Sequence, residues 1–183
     1  TTAGVRSVME RVRDYMDDIG FVYILSQHQE NFLHELAKNK MEFVPMYETD
    51  VIFYPGRQTE FYDSGKEKVH LEELEGSRFI QNYQDEFFDI GSVQENAFQW
   101  RDLDISVLTN SDYIMQAMLQ KTDLGNISPN CLSHNENSIS HDIMQLENQE
   151  QSVQFVCLFR NDQKMERLPK KFLTFIKNYV MES

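Results

Sequence analysis

The run Asp17-Asp18-Ile19-Gly20-Phe21-Val22-Tyr23-Ile24-Leu25 decides how the rest of the chain is read. From Ile19 to Leu25 it is apolar almost throughout, without the alternation of a strand wetted on one side. Such a run predicts a strand covered on both faces, as strands of a parallel sheet are. Upstream, Val5, Val8, Met9, Val12 and Met16 recur at helical spacing, and Asp17-Asp18 and Gly20 close that predicted helix. Downstream, a helix over about residues 29–38 turns Phe32, Leu33, Leu36 and Ala37 inward and stops at Asn39-Lys40. Two short strands, Met41 to Met46 and Asp50 to Tyr54, come next. The first third therefore reads α-β-α-β-β, the alternation that builds an open α/β sheet.

Beyond Pro55-Gly56 a long polar loop runs to Lys68, and Val69 to Leu74 reads as a short helical turn. Arg78 to Gln81 and Asp104 to Leu108 are predicted strands, with a helical segment between Asp85 and Arg101. Asn110 or Ser111 caps a helix whose inner stripe is Ile114, Met115, Met118 and Leu119, and Gly125 supplies its left-handed stop. Ile127 begins another strand, and Cys131 to Ser140 is a surface connection rich in Asn, Ser and His. Val153, Phe155, Cys157 and Phe159 alternate on one face of a strand. Pro169 then opens a terminal helix with Phe172, Leu173, Ile176, Tyr179 and Val180 inward.

At 183 residues the chain is one domain or two small lobes, since a domain takes about 150 residues. Its 30 acidic against 17 basic groups give a net charge of −13, which repels nucleic-acid backbones and anionic lipid surfaces. The charge is uneven along the chain. Residues 1–50 carry 5 basic and 9 acidic groups (−4), residues 51–148 carry 6 and 17 (−11), and residues 149–183 carry 6 and 4 (+2). The middle is thus a compositional unit. Two cysteines, Cys131 and Cys157, make no disulfide framework and fit a reducing cytoplasm. No apolar run is long enough to span a bilayer, and the first residues show no export signal. The chain opens Thr1-Thr2-Ala3-Gly4 without Met, which is expected of a fragment or processed product.

Catalytic chemistry finds little support. His28, His34, His70, His134 and His141 are scattered without zinc spacing, so the expectation is no metal, and surface or half-buried imidazoles are the plain reading. Cys131 has His134 nearby but no nucleophile elbow, and no Gly-rich phosphate cradle is present. The acids of Leu71-Glu72-Glu73-Leu74-Glu75 and of Asp85-Glu86 read as solvated faces. No catalytic residue and no cofactor are therefore expected.

Strand exits are more informative. In open α/β sheets ligands bind beyond the carboxyl ends of the strands. Here Leu25-Ser26-Gln27-His28, Gln81-Asn82-Tyr83 and Thr109-Asn110-Ser111-Asp112 each follow a predicted strand, and the last opens a helix whose amides favour an anion. Ser26, Gln81, Asn82, Tyr83, Thr109 and Asn110 are thus candidate ligand contacts, although ordinary helix capping explains Asn110-Ser111 equally well.

These pieces also resemble a family. Asp18 to Ile24, preceded by a Val-x2-Val-Met helix, is similar to a strand of LysR-type transcriptional regulators. Met41 to Tyr47 with Val51 to Tyr54 looks like the strands that lead from lobe one into lobe two of their effector domains. Val69 to Ile80 looks like the segment V-x-L-x-D-L-x-G-x-P-F-I, with Glu73 for Asp and Arg78 for Pro. Phe155 to Arg160 and Leu168 to Tyr179 resemble the returning strand and closing helix. The resemblance is collinear over nearly the whole chain.

It implies two Rossmann-like α/β lobes joined by two crossover strands, like a type 2 periplasmic binding protein, with a small inducer between them. Lobe one would be residues 1–50 plus 149–183 and lobe two residues 51–148. The family's winged helix, linker helix and first β-α-β unit have no counterpart, so lobe one is expected to be incomplete at its N-terminus. DNA would be reached only through that missing part. The resemblance adds Thr1, Thr2 and Gly4 as first-lobe ligand positions, places Gln81, Asn82 and Tyr83 on the inducer-facing loop, and implies a homodimer or tetramer without membrane contact. A two-lobe solute-binding receptor is the competing reading and an enzyme the third.

Overall fold

A computed structural model describes residues 4–82, 102–129, 143–147, 152–162 and 167–182. In chain order the elements are α1 (Val5–Arg13), β1 (Ile19–Leu25), α2 (Gln29–Lys38), β2 (Met41–Tyr54), β3 (Lys68–His70), β4 (Arg78–Asn82), β5 (Asp104–Thr109), α3 (Asp112–Lys121), β6 (Asn126–Pro129), β7 (Met144–Glu147), β8 (Ser152–Arg160) and α4 (Arg167–Glu182). Short 3-10 turns, Ser26–His28 and Leu71–Leu74, follow β1 and β3. The described residues divide into two units. One holds residues 4–49 and 152–182, the other residues 50–82, 102–129 and 143–147. β2 begins in the first and ends in the second.

In the first unit β8 lies between β1 and the beginning of β2. β1 pairs β8 antiparallel, with Ile19 opposite Phe159 and Leu25 opposite Val153. Helices cover both faces, which explains the unbroken apolar run of β1. On one side α1 and α2 bring Val5, Met9, Val12, Phe32 and Leu36 onto Val22, Ile24, Val156 and Leu158. α1 comes so close that a Cβ on Gly20 would fall 2.4 Å from Val8 Cγ1. On the other side Leu173 and Ile176 of α4 pack with Met46, Cys157, Phe21 and Phe155. The turn between α1 and β1 is held by the buried Arg160. Its guanidinium donates to the carbonyls of Val12 (2.6 Å) and Asp17 (2.9 Å), and it lies 4.1 Å from the ring of Tyr15, which takes φ 61°.

In the second unit β4 and β5 pair in parallel, and α3 carries the chain from β5 to β6. Gly125 bridges to Phe79, with Ile80 N–H donating to Gly125 C=O and Gly125 N–H to Arg78 C=O. β6 and β7 flank the end of β2, both antiparallel to it, and β3 closes that side parallel to β7. α3 packs Met115 and Leu119 onto Ile52, Tyr54 and Ile80. Elsewhere Phe53 is ringed by Phe61 and Phe79, with centroids 5.5 and 6.1 Å away.

Several expectations are corrected. β1 is antiparallel to its partner, because coverage on both faces fixes the apolar run and leaves strand direction open. Met41 to Tyr54 is one strand; Pro45 is tolerated within it at an exposed position. α1 stops at Arg13, and Met16 lies exposed beyond the left-handed Tyr15. Leu33, Ala37, Ile114 and Phe172, all expected inward, are exposed, since the covered arcs are narrower than the apolar ones. Gly125 does not end α3, which closes at Thr122; it is glycine because a Cβ there would lie 2.5 Å from the Phe53 ring. The predicted helix at 85–101 and the connection at 131–140 lie outside the described residues, as do the side chains of Tyr179 and Val180.

Candidate functional site

The parallel pairing of β4 and β5 sets Gln81 opposite Leu108 and Asn82 opposite Thr109, so the two strands end side by side. The chain leaves β5 through Asn110 and enters α3 at once. Thr109 is buried, and its hydroxyl accepts from Ser111 N–H at 3.1 Å. Ser111 is the N-cap, accepting from Ile114 N–H at 3.4 Å, and Asp112 adds a carboxylate in the first turn. Asn82 and Asn110 are exposed, and neither side chain makes a hydrogen bond among the described residues. Two carboxamides, a helix N-terminus and a half-buried hydroxyl residue therefore share one edge of this unit. Such groups present donors and acceptors to a polar ligand without a fixed charge of either sign beyond Asp112.

Gln81 behaves differently. Its carboxamide meets the backbone of the neighbouring strand, with its oxygen accepting from Ile127 N–H (3.1 Å) and its nitrogen donating to Ile127 C=O (3.0 Å). Next to it the fully buried Asn126 donates to Ile80 C=O at 2.8 Å and accepts from Ser128 Oγ at 2.8 Å. These amides stitch β4 to β6 and hold the strand ends in register. Tyr83, the third residue of that sequence group, lies outside the described residues.

In the other unit Ser26 follows β1 directly. Its hydroxyl is 2.6 Å from the Ser152 hydroxyl and donates to Glu48 Oε1 at 3.3 Å, which ties the ends of β1 and β8 to β2. Nearby, the hydroxyls of Tyr23 and Tyr47 share a hydrogen bond, and both rings pack on Phe155. Gly4, exposed and extended at φ −61°, is the N-cap of α1 and accepts from Val8 N–H at 3.0 Å. Because α1 doubles back on β1, Gly4 and Ser26 lie toward the same end of their unit. Thr1 and Thr2 are outside the described residues.

Sequence reasoning missed Ser152 and Glu48 as partners of Ser26. No local pattern could have shown them, because the contact joins residues far apart in the chain. Among the described residues no group of three or more His, Cys, Asp or Glu could hold a metal ion. Burial pushes the Cys157 thiol up to about 12, so this sulfur is no nucleophile at neutral pH. No described helix is long and apolar enough to cross a membrane.

The architecture is a mixed α/β fold, and comparison with known proteins defines it further. No family model matches the chain, and no curated protein does. Solved structures do match. HinK, a LysR family transcriptional regulator from Pseudomonas aeruginosa, is 12% identical with a TM-score of 0.70, over 97% of this chain and 58% of that one. The effector-binding domain of QuiR, in complex with shikimate, is 10% identical with a TM-score of 0.64, over 98% and 79%. The regulatory domain of CcmR from Synechocystis PCC6803, in complex with 2-PG, is 10% identical with a TM-score of 0.61, over 97% and 80%. The chain therefore has the fold of LysR effector-binding domains, the periplasmic-binding-protein-like class implied by the sequence resemblance. It spans little more than half of the HinK chain.

Proposed function

We propose that this chain is the effector-binding domain of a LysR-type transcriptional regulator and that it senses a small polar metabolite. The observation that carries the reading is the joint ending of β4 and β5 at the start of α3, where Asn82, Thr109 and Asn110 converge. The fold it shares with QuiR, solved with shikimate, and CcmR, solved with 2-PG, supports the same reading. A carboxylate or hydroxyl oxygen suits the amides of the α3 N-terminus, and the carboxamides supply both donors and acceptors for the remaining oxygens. Tyr83 would complete the proposed contacts on this edge, whereas Gln81 and Ser26 serve to hold strand ends. In the parent protein, ligand binding would bias one lobe arrangement and pass it to a DNA-binding domain N-terminal to these residues, in a dimer or tetramer working in the cytoplasm. No turnover is assigned to the chain.

The test is a thermal-shift screen of the 183-residue chain with shikimate, 2-PG and a panel of hydroxylated and amino acids. A true effector at about 100 times its Kd stabilises by roughly 2.7 kcal/mol, an easily measured rise in Tm. Asn110→Ala should remove that rise without lowering the unliganded Tm. If no compound raises Tm, or if an effective one acts equally on Asn110→Ala and Asn82→Ala, the proposed site is wrong.

A further inference from the structure

Two inward stripes of the first unit turn polar at the same end of its sheet. Along β8, Leu158 and Val156 are buried under α1 and α2, and the next residue of that face is Gln154. Along α2, Leu36 and Phe32 are buried, and one turn before Phe32, at the N-cap, stands His28. Gln154 lies opposite Ile24 near the end of β1, and the turn Ser26–His28 follows that strand directly. Both side chains are half-buried, and each has one polar atom shut off from solvent. His28 Nδ1 and Gln154 Oε1 have no hydrogen-bond partner among the described residues. The other such atom among those residues, Arg160 Nε, sits at the far end of the sheet with the Asp162 carboxylate 3.8 Å away. Buried polar atoms are nearly all paired in folded chains, so two orphans at one end of one layer call for a partner.

The chemistry of the two atoms selects that partner. A carboxamide oxygen only accepts, so the group that meets it must bring a hydrogen, and a bare carboxylate or ketone fails there. An ammonium has hydrogens to give, but the carboxamide carries no charge to offset a buried one. A hydroxyl serves both atoms. Its hydrogen goes to Gln154 Oε1, and a lone pair accepts from His28 Nδ1–H. We propose that His28 and Gln154 form a hydroxyl-binding site of the first unit, which takes a hydroxylated metabolite with the imidazole held as its Nδ1–H tautomer. Such a site discriminates strongly, because an analogue without the hydroxyl leaves both buried atoms bare. It uses none of Asn82, Thr109 or Asn110, so it goes beyond the reading of the β4–β5 edge and stands or falls apart from it.

Titration calorimetry of the 183-residue chain with matched acids tests this: lactate against propionate, malate against succinate, and shikimate against 1-cyclohexenecarboxylate. In at least one pair the hydroxylated member should bind, and its counterpart should be about a hundredfold weaker or worse. His28→Leu and Gln154→Leu should each abolish that preference. The unliganded Tm of both variants should hold or rise, because each change replaces a buried atom that lacks a partner with apolar surface. Were His28 and Gln154 bonded to each other in solution, each change would strand the remaining partner, and a fall in Tm therefore overturns the proposal. So does a panel in which no hydroxylated compound binds, which would leave the two atoms to water. Alanine binding more tightly than lactate overturns it in favour of an ammonium. A hydroxyl preference kept in both leucine variants but lost in Asn110→Ala overturns it and leaves the β4–β5 reading standing. A preference kept in Asn110→Ala and lost in the leucine variants supports this site and removes that reading.

Discussion

Ser26 and Asn110 occupy comparable places, each the first residue past a strand and just ahead of a helix, yet the two units use them differently. Ser26 is bound to Ser152 and Glu48, so its hydroxyl is occupied in closing the ends of three strands. Asn110 is exposed beside Asn82, while Gln81 and Asn126 carry out the stitching one step further in. The difference teaches that a polar residue at a strand exit is available to a ligand only when the strands are already held by other groups. In the second unit that duty falls on buried amides behind the edge, and the edge itself is left open.

The sharpest way to break this comparison is to weaken the unit that presents the open edge. Phe53→Ala removes a fully buried ring between Phe61 and Phe79 and should cost about 3–5 kcal/mol in urea unfolding. Effector response should fall with it, and a variant that loses that much stability while keeping full response would separate the site from this core. Asn126→Ala should cost about 1–3 kcal/mol, because it leaves the Ile80 carbonyl buried without its donor. Ser26→Ala should cost about 1 kcal/mol with the effector response kept, and Asn110→Ala should stay within about 0.5 kcal/mol with the response lost. The reverse pairing of outcomes would invert the roles drawn here.

The smallest effect concerns Cys157 in the other unit. With its thiol pushed up to about 12 by burial, alkylation at pH 8.5 should be far slower in the folded chain than in urea. The fold favours the neutral thiol, so the stability tied to it is complete below the ordinary thiol pKa. It drains away only as the pH rises toward 12. Rapid labelling of the native protein would show that the sheet face under α4 is open.

Much of this was legible in local patterns. α2 at 29–38, β5, the Ser111 cap and Pro169 in the first turn of α4 follow from spacing and caps that act within a few residues. What stayed hidden depends on contacts distant in sequence. The antiparallel partner of β1 lies at the far end of the chain, and apolar runs look alike in either direction. Gly125 looked like a left-handed stop because a glycine needed for close approach and one needed for positive φ are written with the same letter. At the candidate site Asn82, Thr109 and Asn110 were found from strand exits. That Gln81 would be engaged by Ile127 could not be seen before β6 was placed beside β4.

The position of β8 between β1 and β2 carries a consequence for synthesis. Residue 19 waits for residue 159, so the first unit cannot close its sheet while the ribosome is still making the middle of the chain. The second unit, with β3 to β7 all lying between, has its strands in hand earlier. Emerging chains should therefore settle the second unit first, with α1, β1 and α2 waiting for the C-terminal strand. Truncation before Ser152 should leave β1 without its partner and favour aggregation over any other fault.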